Sequence, residues 1–428
     1  MNKSDKLYAQ YVAILKEELI PAGGCTEPIA IAYAAATARD TLGRLPEQLE
    51  VFASGNLIKN AKSVFIPGGE DLRGVDAAAA LGAVGGHAER KLEVLLDMSP
   101  GCVEKTRELL AQDFCKVRVL DTDAALHLVI HAEAGADTAE VELKNAHTNI
   151  IRITKNGQDL LRAEDACVTA DGLCDHSCLS VRNILDFADS CDLADVEAVL
   201  QRQIACNVAI AQEGLKNPWG MNIGQLYQRR GQMLQAYAAA ASDARMSGCT
   251  LPVVIVSGSG NQGATASLPV LEFARENGVD EARTMRALVL SDLLAVHLKT
   301  GIGRLSAYCG AVCAATGSGC AMTYLAGGTP EQIEMTLTNS LATASGIFCD
   351  GAKPSCAAKI AACVECAVLS HQLAMENRSF LPGEGIVMGT AEETIRAVGT
   401  VASQGMNTTD QVILELMTQS QNAPRETD

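Results

Sequence analysis

The sequence predicts an α+β protein, in which a mainly helical domain is discontinuous along the chain and a small α/β domain is inserted into it. Two textures carry this expectation. Over most of the 428 residues, Ala, Val, Leu and Ile occur in short runs broken by Gly, and 48% of residues are hydrophobic but only 4% aromatic, which suits close-packed helices with small contact side chains. Between residues 91 and 154 the pattern becomes alternating and rich in β-branched residues, as in half-buried strands. The length also exceeds the roughly 250 to 300 residues at which single cores divide.

The elements follow in order. A helix is expected over residues 6–19, stopped near Pro21, and a second from Pro28 toward Leu42, with proline in a first turn where its missing N–H costs nothing. The inserted domain is read from LEVLLDM, KVRVL, ALHLVIHAE, AEVELKN and NIIRIT, around a helix at residues 103–112. Helical texture then returns from about Asp159 and persists through residues 287–298, 331–344 and 357–375, apart from the apolar run LPVVIVSGSGNQG. The expected domains are therefore residues 1–90 with 155–428, and the insertion 91–154. The tail beyond Thr418 is expected to be disordered.

A net charge of −17, without a Lys/Arg cluster or an aromatic platform, opposes phosphate backbones and anionic membranes, so neither nucleic acid nor a membrane is an expected partner. No run reaches about 18 uncharged apolar residues, and the first residues form a charged amphipathic pattern without a signal-peptide core. A soluble, cytoplasmic protein is expected. In that setting the sixteen cysteines read as buried apolar thiols plus a minority of ligands.

Three places could carry chemistry. Cys349 and Cys356 are joined by a loop of Gly, Pro and Ser, and Cys309 stands at a Gly-bounded break upstream. Three such thiolates can hold a cubane cluster by three corners, leaving one iron open as a Lewis acid. Cys313 and Cys320 read as core residues. Cys363 and Cys366 form a CxxC inside an Ala-rich helical stretch without a turn, and Cys174-Asp175-His176-Ser177-Cys178 lacks a second half at zinc-finger spacing, so both are read as structural. Cys25 follows Gly23-Gly24 at a helix start, where backbone N–H groups favour thiolate and a thiolate can act as a base; read locally, it is equally a buried cysteine. The turns Ser54-Gly55-Asn56-Leu57-Ile58-Lys59-Asn60 and Ser257-Gly258-Ser259-Gly260-Asn261-Gln262-Gly263 offer amide, hydroxyl and charge to an amino-acid carboxylate. The second turn matches a dinucleotide fingerprint only in its glycine count, without the βαβ repetition.

Taken together, Gly24-Cys25-Thr26-Glu27-Pro28, Ser54-Gly55-Asn56 with Lys59-Asn60, the 257–263 turn, Arg304-Leu305-Ser306 with Cys309-Gly310, and the segment from Cys349 to Cys356 resemble the L-cysteine desulfidase family, over nearly the whole chain. That family is related to the α-chain of iron–sulfur L-serine dehydratases. The resemblance implies an oxygen-sensitive [4Fe-4S] cluster on Cys309, Cys349 and Cys356, with Cys313 one helical turn from Cys309 as the alternative first ligand. It implies Cys25 as the base, and Ser54, Asn56, Lys59, Asn60, Ser257, Ser259 and Asn261 as the residues that hold the amino acid. The implied reaction is α,β-elimination of L-cysteine to pyruvate, ammonia and sulfide. The short loop between Cys349 and Cys356 resembles the desulfidase version, which implies cysteine over serine as substrate. Three rivals are an iron–sulfur L-serine dehydratase, a pyridoxal-phosphate lyase built on Lys59, and a non-catalytic cluster carrier, which would need no amino-acid pocket beside the thiols. A homo-oligomer, specifically a dimer, is expected.

Overall fold

The computed structural model describes residues 1–163 and 174–419; residues 420–428 of the expected disordered tail lie outside them. The fold is mixed α+β, as expected. In chain order the strands are β1 (Pro21–Ala22), β2 (Gln48–Ala53), β3 (Cys115–Val119), β4 (His127–Ala134), β5 (Asp137–Lys144), β6 (Ile150–Lys155), β7 (Gln158–Arg162) and β8 (Val253–Val254).

Strands β2 to β7 form one sheet in the order β3-β2-β4-β5-β6-β7, parallel between β2 and β3 and antiparallel elsewhere. Side chains alternate across it with a period of two. Leu49 and Val51 of β2, Leu128 and Ile130 of β4, and Val141 and Leu143 of β5 are buried on one face. Glu50, His131 and Glu140 point to the other, where partial exposure suits charge. The Ala-rich helices Thr26–Leu42 and Val75–Gly85 cover the buried face, lying so close together that a Cβ on Gly82 would stand 2.3 Å from the Ala32 carbonyl oxygen.

The sheet does not stop at the expected boundaries. β2, from the segment before residue 91, lies between β3 and β4, and β7 continues to Arg162. QLEVFA is a short alternating strand set among helical stretches, and its partners come later in the chain, so no local pattern announces it. Conversely, the expected strand LEVLLDM is absent. Residues Ala88–Glu93 form a 3-10 turn, and Leu92, Val94 and Leu95 sink into the sheet's core as single packing residues. A short apolar run does not distinguish these outcomes until a pairing edge is present.

The first helix, Lys6–Glu18, belongs instead to the helical core. Its Tyr11, Ile14 and Leu15 share one apolar cluster with Leu290 of helix Glu281–Thr300, Cys320 of helix Gly310–Leu325 and Ile360 of helix Cys356–Met375. Helix Cys356–Met375 is long and apolar enough to cross a membrane by composition, yet it packs against helices Met233–Met246, Gly310–Leu325 and Pro330–Ala344. The two units are stitched together where β1 pairs with β8, Pro21 opposite Val254 and Ala22 opposite Val253. That stitch sets the segment around Cys25 beside the 257–263 turn.

Candidate active site

Immediately after β1 the chain turns through Gly24, whose φ of 94° and whose contact with Pro67 exclude a side chain. Cys25 is then the N-cap of helix Thr26–Leu42, which starts two residues before the expected Pro28. After β8 the chain turns through Ser257 and Gly258, both left-handed (φ 49° and 76°), into helix Gly260–Glu276. The turn is held at both ends: the Ser257 N–H donates to Glu18 Oε2 (2.8 Å), and the Thr26 hydroxyl donates to the Gly258 carbonyl (2.9 Å). Two helix starts thus face each other across one cavity.

The thiols enter from the opposite side. Cys309 is the N-cap of helix Gly310–Leu325, and Cys356 opens helix Cys356–Met375. A bridge pairs Tyr308 with Phe348 in antiparallel fashion, and the Cys309 N–H donates to the Ile347 carbonyl (3.1 Å), so Cys309 stands opposite Ile347 and Cys349 opposite Ala307, diagonal neighbours across the bridge. The loop between Cys349 and Cys356 is tied by Asp350, which pairs with both Lys353 and Lys359. Gly351, with φ 95°, passes so close to Lys59 that a Cβ would stand 2.3 Å from its carbonyl oxygen. Every cysteine among the described residues is a free thiol. Cys309, Cys349 and Cys356 all line one cavity of about 100 Å³, together with Cys25.

The electrostatics of the cavity are those of buried groups. The Cys25 thiol donates to Glu27 Oε2 (3.2 Å), and Asn60 Nδ2 donates to Glu27 Oε1 (3.2 Å). Burial and then the Glu27 charge push the Cys25 thiol well above its usual range, with Arg245 pulling weakly the other way. The thiolate expected from the helix start is therefore not the resting form, because desolvation outweighs the helix dipole at a site only 2% exposed. Burial would raise Glu27 as well, but His147 and the hydrogen bond from Cys25 hold it down at about 2. Burial, then Cys349, pushes Cys309 up to about 12. Burial lowers Lys299, while the thiols Cys313, Cys349 and Cys309 act in the opposite sense. Arg245 is anchored to the Gly24 carbonyl (3.1 Å) and to Asn261 Oδ1 (3.2 Å).

A family model described as serine dehydratase alpha chain matches residues 89–415. The chain belongs to that family. It is also similar to UPF0597 proteins: one from Lachnoclostridium phytofermentans is 48% identical over 417 residues, covering 96% of this chain and 100% of that one. One from Treponema denticola is 45% identical over 428 residues, covering 97% and 99%. One from Finegoldia magna is 43% identical over 413 residues, covering 95% and 99%. Serine dehydratase alpha chains are a lyase-type family typically associated with iron–sulfur clusters.

The thiols present fit such a group. They come from two helix starts and the loop between them, and the protons they carry are ones a metal centre displaces. Among the described residues, the set of three potential ligands whose atoms all lie within 4.8 Å of one another is Glu17, Glu18 and His176, not these cysteines. Sulfurs that share a cavity wall without crowding together suit a cluster better than a single ion.

For a serine dehydratase alpha chain, then, the structure distributes the sequence-selected residues unevenly. Asn60, Ser259 and Asn261 line the thiol cavity. Ser54, Asn56 and Lys59 line a neighbouring cavity that meets it at Ser306. Lys59, only 1% exposed, is ion-paired with Asp410 of helix Asn407–Gln419, and the Ser54 hydroxyl donates to the Ala125 carbonyl (2.8 Å). Ser257 faces a third void beside Glu18. Cys313 is buried one turn behind Cys309 and does not line the cavity; nor do Cys363 and Cys366. Glu27, Gln262, Arg304 and Ser306 line it and stand within the motifs read from the sequence, where no role was given to them; Arg245, Lys299 and Lys359 were not picked out. For those three the signal is weak, since each lies inside an ordinary helix and acquires its polar setting only when that helix packs against the others.

Proposed function

We propose that this serine dehydratase alpha chain family member is an L-cysteine desulfidase, which eliminates sulfide from L-cysteine and releases pyruvate and ammonia. The observation that supports this most is the convergence, on one buried cavity the size of a small amino acid, of three free thiols, the Cys25–Glu27 pair and a set of cations. A carrier needs no such neighbours for its thiols. Lys59 does not line that cavity, which counts against the Schiff-base reading.

Cys309, Cys349 and Cys356 would hold a [4Fe-4S] cluster, and such a cluster with one open iron supplies a soft Lewis acid for the substrate sulfur. Arg304 and Arg245, which line the cavity with Asn261, hold the substrate carboxylate in place of the expected Lys59. Cys25 Sγ takes the α-proton. Because its resting form is the thiol, the base form is generated in the bound state: the thiol proton leaves by way of its acceptor Glu27 Oε2 to water, and the substrate ammonium joins Arg245 as a second positive charge beside Sγ. Glu27 Oε2, 3.2 Å from Sγ, is the acceptor that keeps the thiol hydrogen aligned. Loss of sulfide leaves aminoacrylate, which takes a proton at Cβ and is hydrolysed by one water to pyruvate and ammonia. The short Cys349–Cys356 loop supports cysteine over serine, and the free thiols suit a reducing, cytoplasmic setting.

Steady-state rates with L-cysteine and L-serine, measured anaerobically on the iron-loaded protein, test the assignment. A kcat/KM at least about tenfold higher for cysteine, a difference of about 1.4 kcal/mol in the barrier, is expected; a preference for serine makes the enzyme an L-serine dehydratase.

A further inference from the structure

Behind the catalytic cavity, the end of helix Lys6–Glu18, the turn His176–Cys178 and the Ser257 turn enclose a second polar cluster. One potential ligand atom from each of Glu17, Glu18 and His176 lies within 4.8 Å of the other two. Glu18 and His176 are 3% and 4% exposed. Among the described residues His176 Nε2 has no hydrogen-bond partner, and it stands 3.9 Å from Glu18 Oε1. A buried imidazole nitrogen left without a partner is destabilising, so its retention calls for a reason.

The carboxylates beside it are oriented by backbone: the Ser257 N–H donates to Glu18 Oε2 and the Cys174 N–H to Glu17 Oε2, each at 2.8 Å. Ser257 makes its contact from the left-handed region, at φ 49°, a conformation that costs free energy for a residue with a side chain. Arg304 Nη2 lies 2.8 Å from Glu18 Oε1 and 3.8 Å from Glu17 Oε1. Arg304 thus spans the two carboxylates. A void of about 10 Å³, room for a single water or ion, is lined by Glu18, His176 and Ser257 together with Lys299 and Arg304; Glu17 is not among its lining residues.

We propose that Glu17, Glu18 and His176 form a site for one divalent metal ion, separate from the cysteine set. Bonds of about 2.0–2.2 Å from nitrogen and oxygen to an ion place neighbouring ligand atoms roughly 3–4 Å apart; here His176 Nε2 and Glu18 Oε1 are 3.9 Å apart, and the three ligand atoms lie within 4.8 Å of one another. One imidazole with two carboxylates and no thiolate selects a hard or borderline ion of the manganese type over a soft one. Arg304 lines both this void and the catalytic cavity. An ion on Glu18 Oε1 competes with the guanidinium for that oxygen and so turns Arg304 toward the cavity.

Mn²⁺ is the probe. Anaerobic titration of the iron-loaded protein, followed by loss of the free-ion EPR signal, should show one bound Mn²⁺ per chain. Pulsed EPR should show coupling to a single imidazole nitrogen. Glu17→Gln, a change at a partly exposed residue, and His176→Gln should each weaken binding at least about tenfold, and His176→Gln should abolish the nitrogen coupling. The nitrogen signal in the unaltered protein keeps the proposal testable even where His176→Gln fails to fold. No bound Mn²⁺ up to about 1 mM, where binding is worth only about 4 kcal/mol, or binding without nitrogen coupling and unchanged in Glu17→Gln, overturns the proposal and leaves the cluster as a clamp for Arg304.

Discussion

Asp292, in the middle of helix Glu281–Thr300, is fully buried and accepts a hydrogen bond from Gln203 Nε2 (2.9 Å). Among the described residues two atoms of this pair have no partner, Asp292 Oδ2 and Gln203 Oε1, and a proton on Oδ2 provides the donor that both lack. Burial, opposed only by the Gln203 hydrogen bond, raises the Asp292 carboxyl from its ordinary 3.8 to about 7. The folded state therefore binds a proton that the unfolded state has lost. The stabilising contribution is complete below pH 3.8 and disappears as the pH rises through about 7. At 1.36 kcal/mol per unit, the whole swing is on the order of 4 kcal/mol, of which about 3 kcal/mol falls between about pH 5 and pH 8. Asp292→Asn supplies the missing donor permanently and carries no charge. Its melting temperature should exceed that of the unaltered protein by a margin that widens by about 3 °C over the same interval, given unfolding entropies of about 2.1 cal/mol/K per residue. Because the comparison is between two proteins that share every other titrating group, those groups cancel. Parallel melting curves across that pH range, or a variant less stable at pH 8, would refute a neutral Asp292.

Cys309→Ala, Cys349→Ala and Cys356→Ala should each lower iron and acid-labile sulfide in anaerobically purified protein, whereas Cys363→Ala and Cys366→Ala, at positions away from the cavity, should leave both nearly unchanged; iron loss in the second group alone would reverse the ligand assignment. Cys25→Ala should keep its iron and lose about a hundredfold to ten-thousandfold in turnover, along with exchange of the substrate α-hydrogen in deuterated solvent. Near-normal turnover removes Cys25 as the base, and stoichiometric iron loss makes it a ligand. Asp410→Asn leaves the buried Lys59 ammonium without its counter-charge, a loss of about 3–5 kcal/mol when one member of a buried pair is removed. Helix Asn407–Gln419 should then become the first site of limited proteolysis, and unchanged protection would show that other contacts hold it.

Much of the helical half was legible because its signals are local. The helix at Lys6–Glu18 and those ending at Ala344 and Met375 match expectation to within a residue or two, since apolar periodicity and a proline or glycine at the boundary act over one or two turns. The sheet was less legible. KVRVL, ALHLVIHAE, AEVELKN and NIIRIT all supply strands, but QLEVFA was passed over and LEVLLDM taken as a strand, because a short apolar run becomes a strand only if an unpaired edge lies beside it.

The same division runs through the candidate site. Residue chemistry and glycine-marked turns made Cys25, Cys309, Cys349, Cys356, Asn60, Ser259 and Asn261 candidates, the family resemblance chose Cys25 as base and the other three cysteines as ligands, and all seven line one cavity. They are marked locally, at or beside helix starts and turns, where a side chain is displayed and not packed away. Which charges accompany them was decided by tertiary structure. Lys59 looks like a carboxylate anchor in its own segment, but the fold turns it into a neighbouring cavity and neutralises it with Asp410, a residue far along the chain. Arg245 and Lys299 sit in unremarkable helices and become part of the site because those helices pack against the thiols. The protonation state of Cys25 was decided in the same way. A helix start favours thiolate, but desolvation depends on everything that surrounds the sulfur, and that enclosure exists only once the β1–β8 stitch has closed the two units over it.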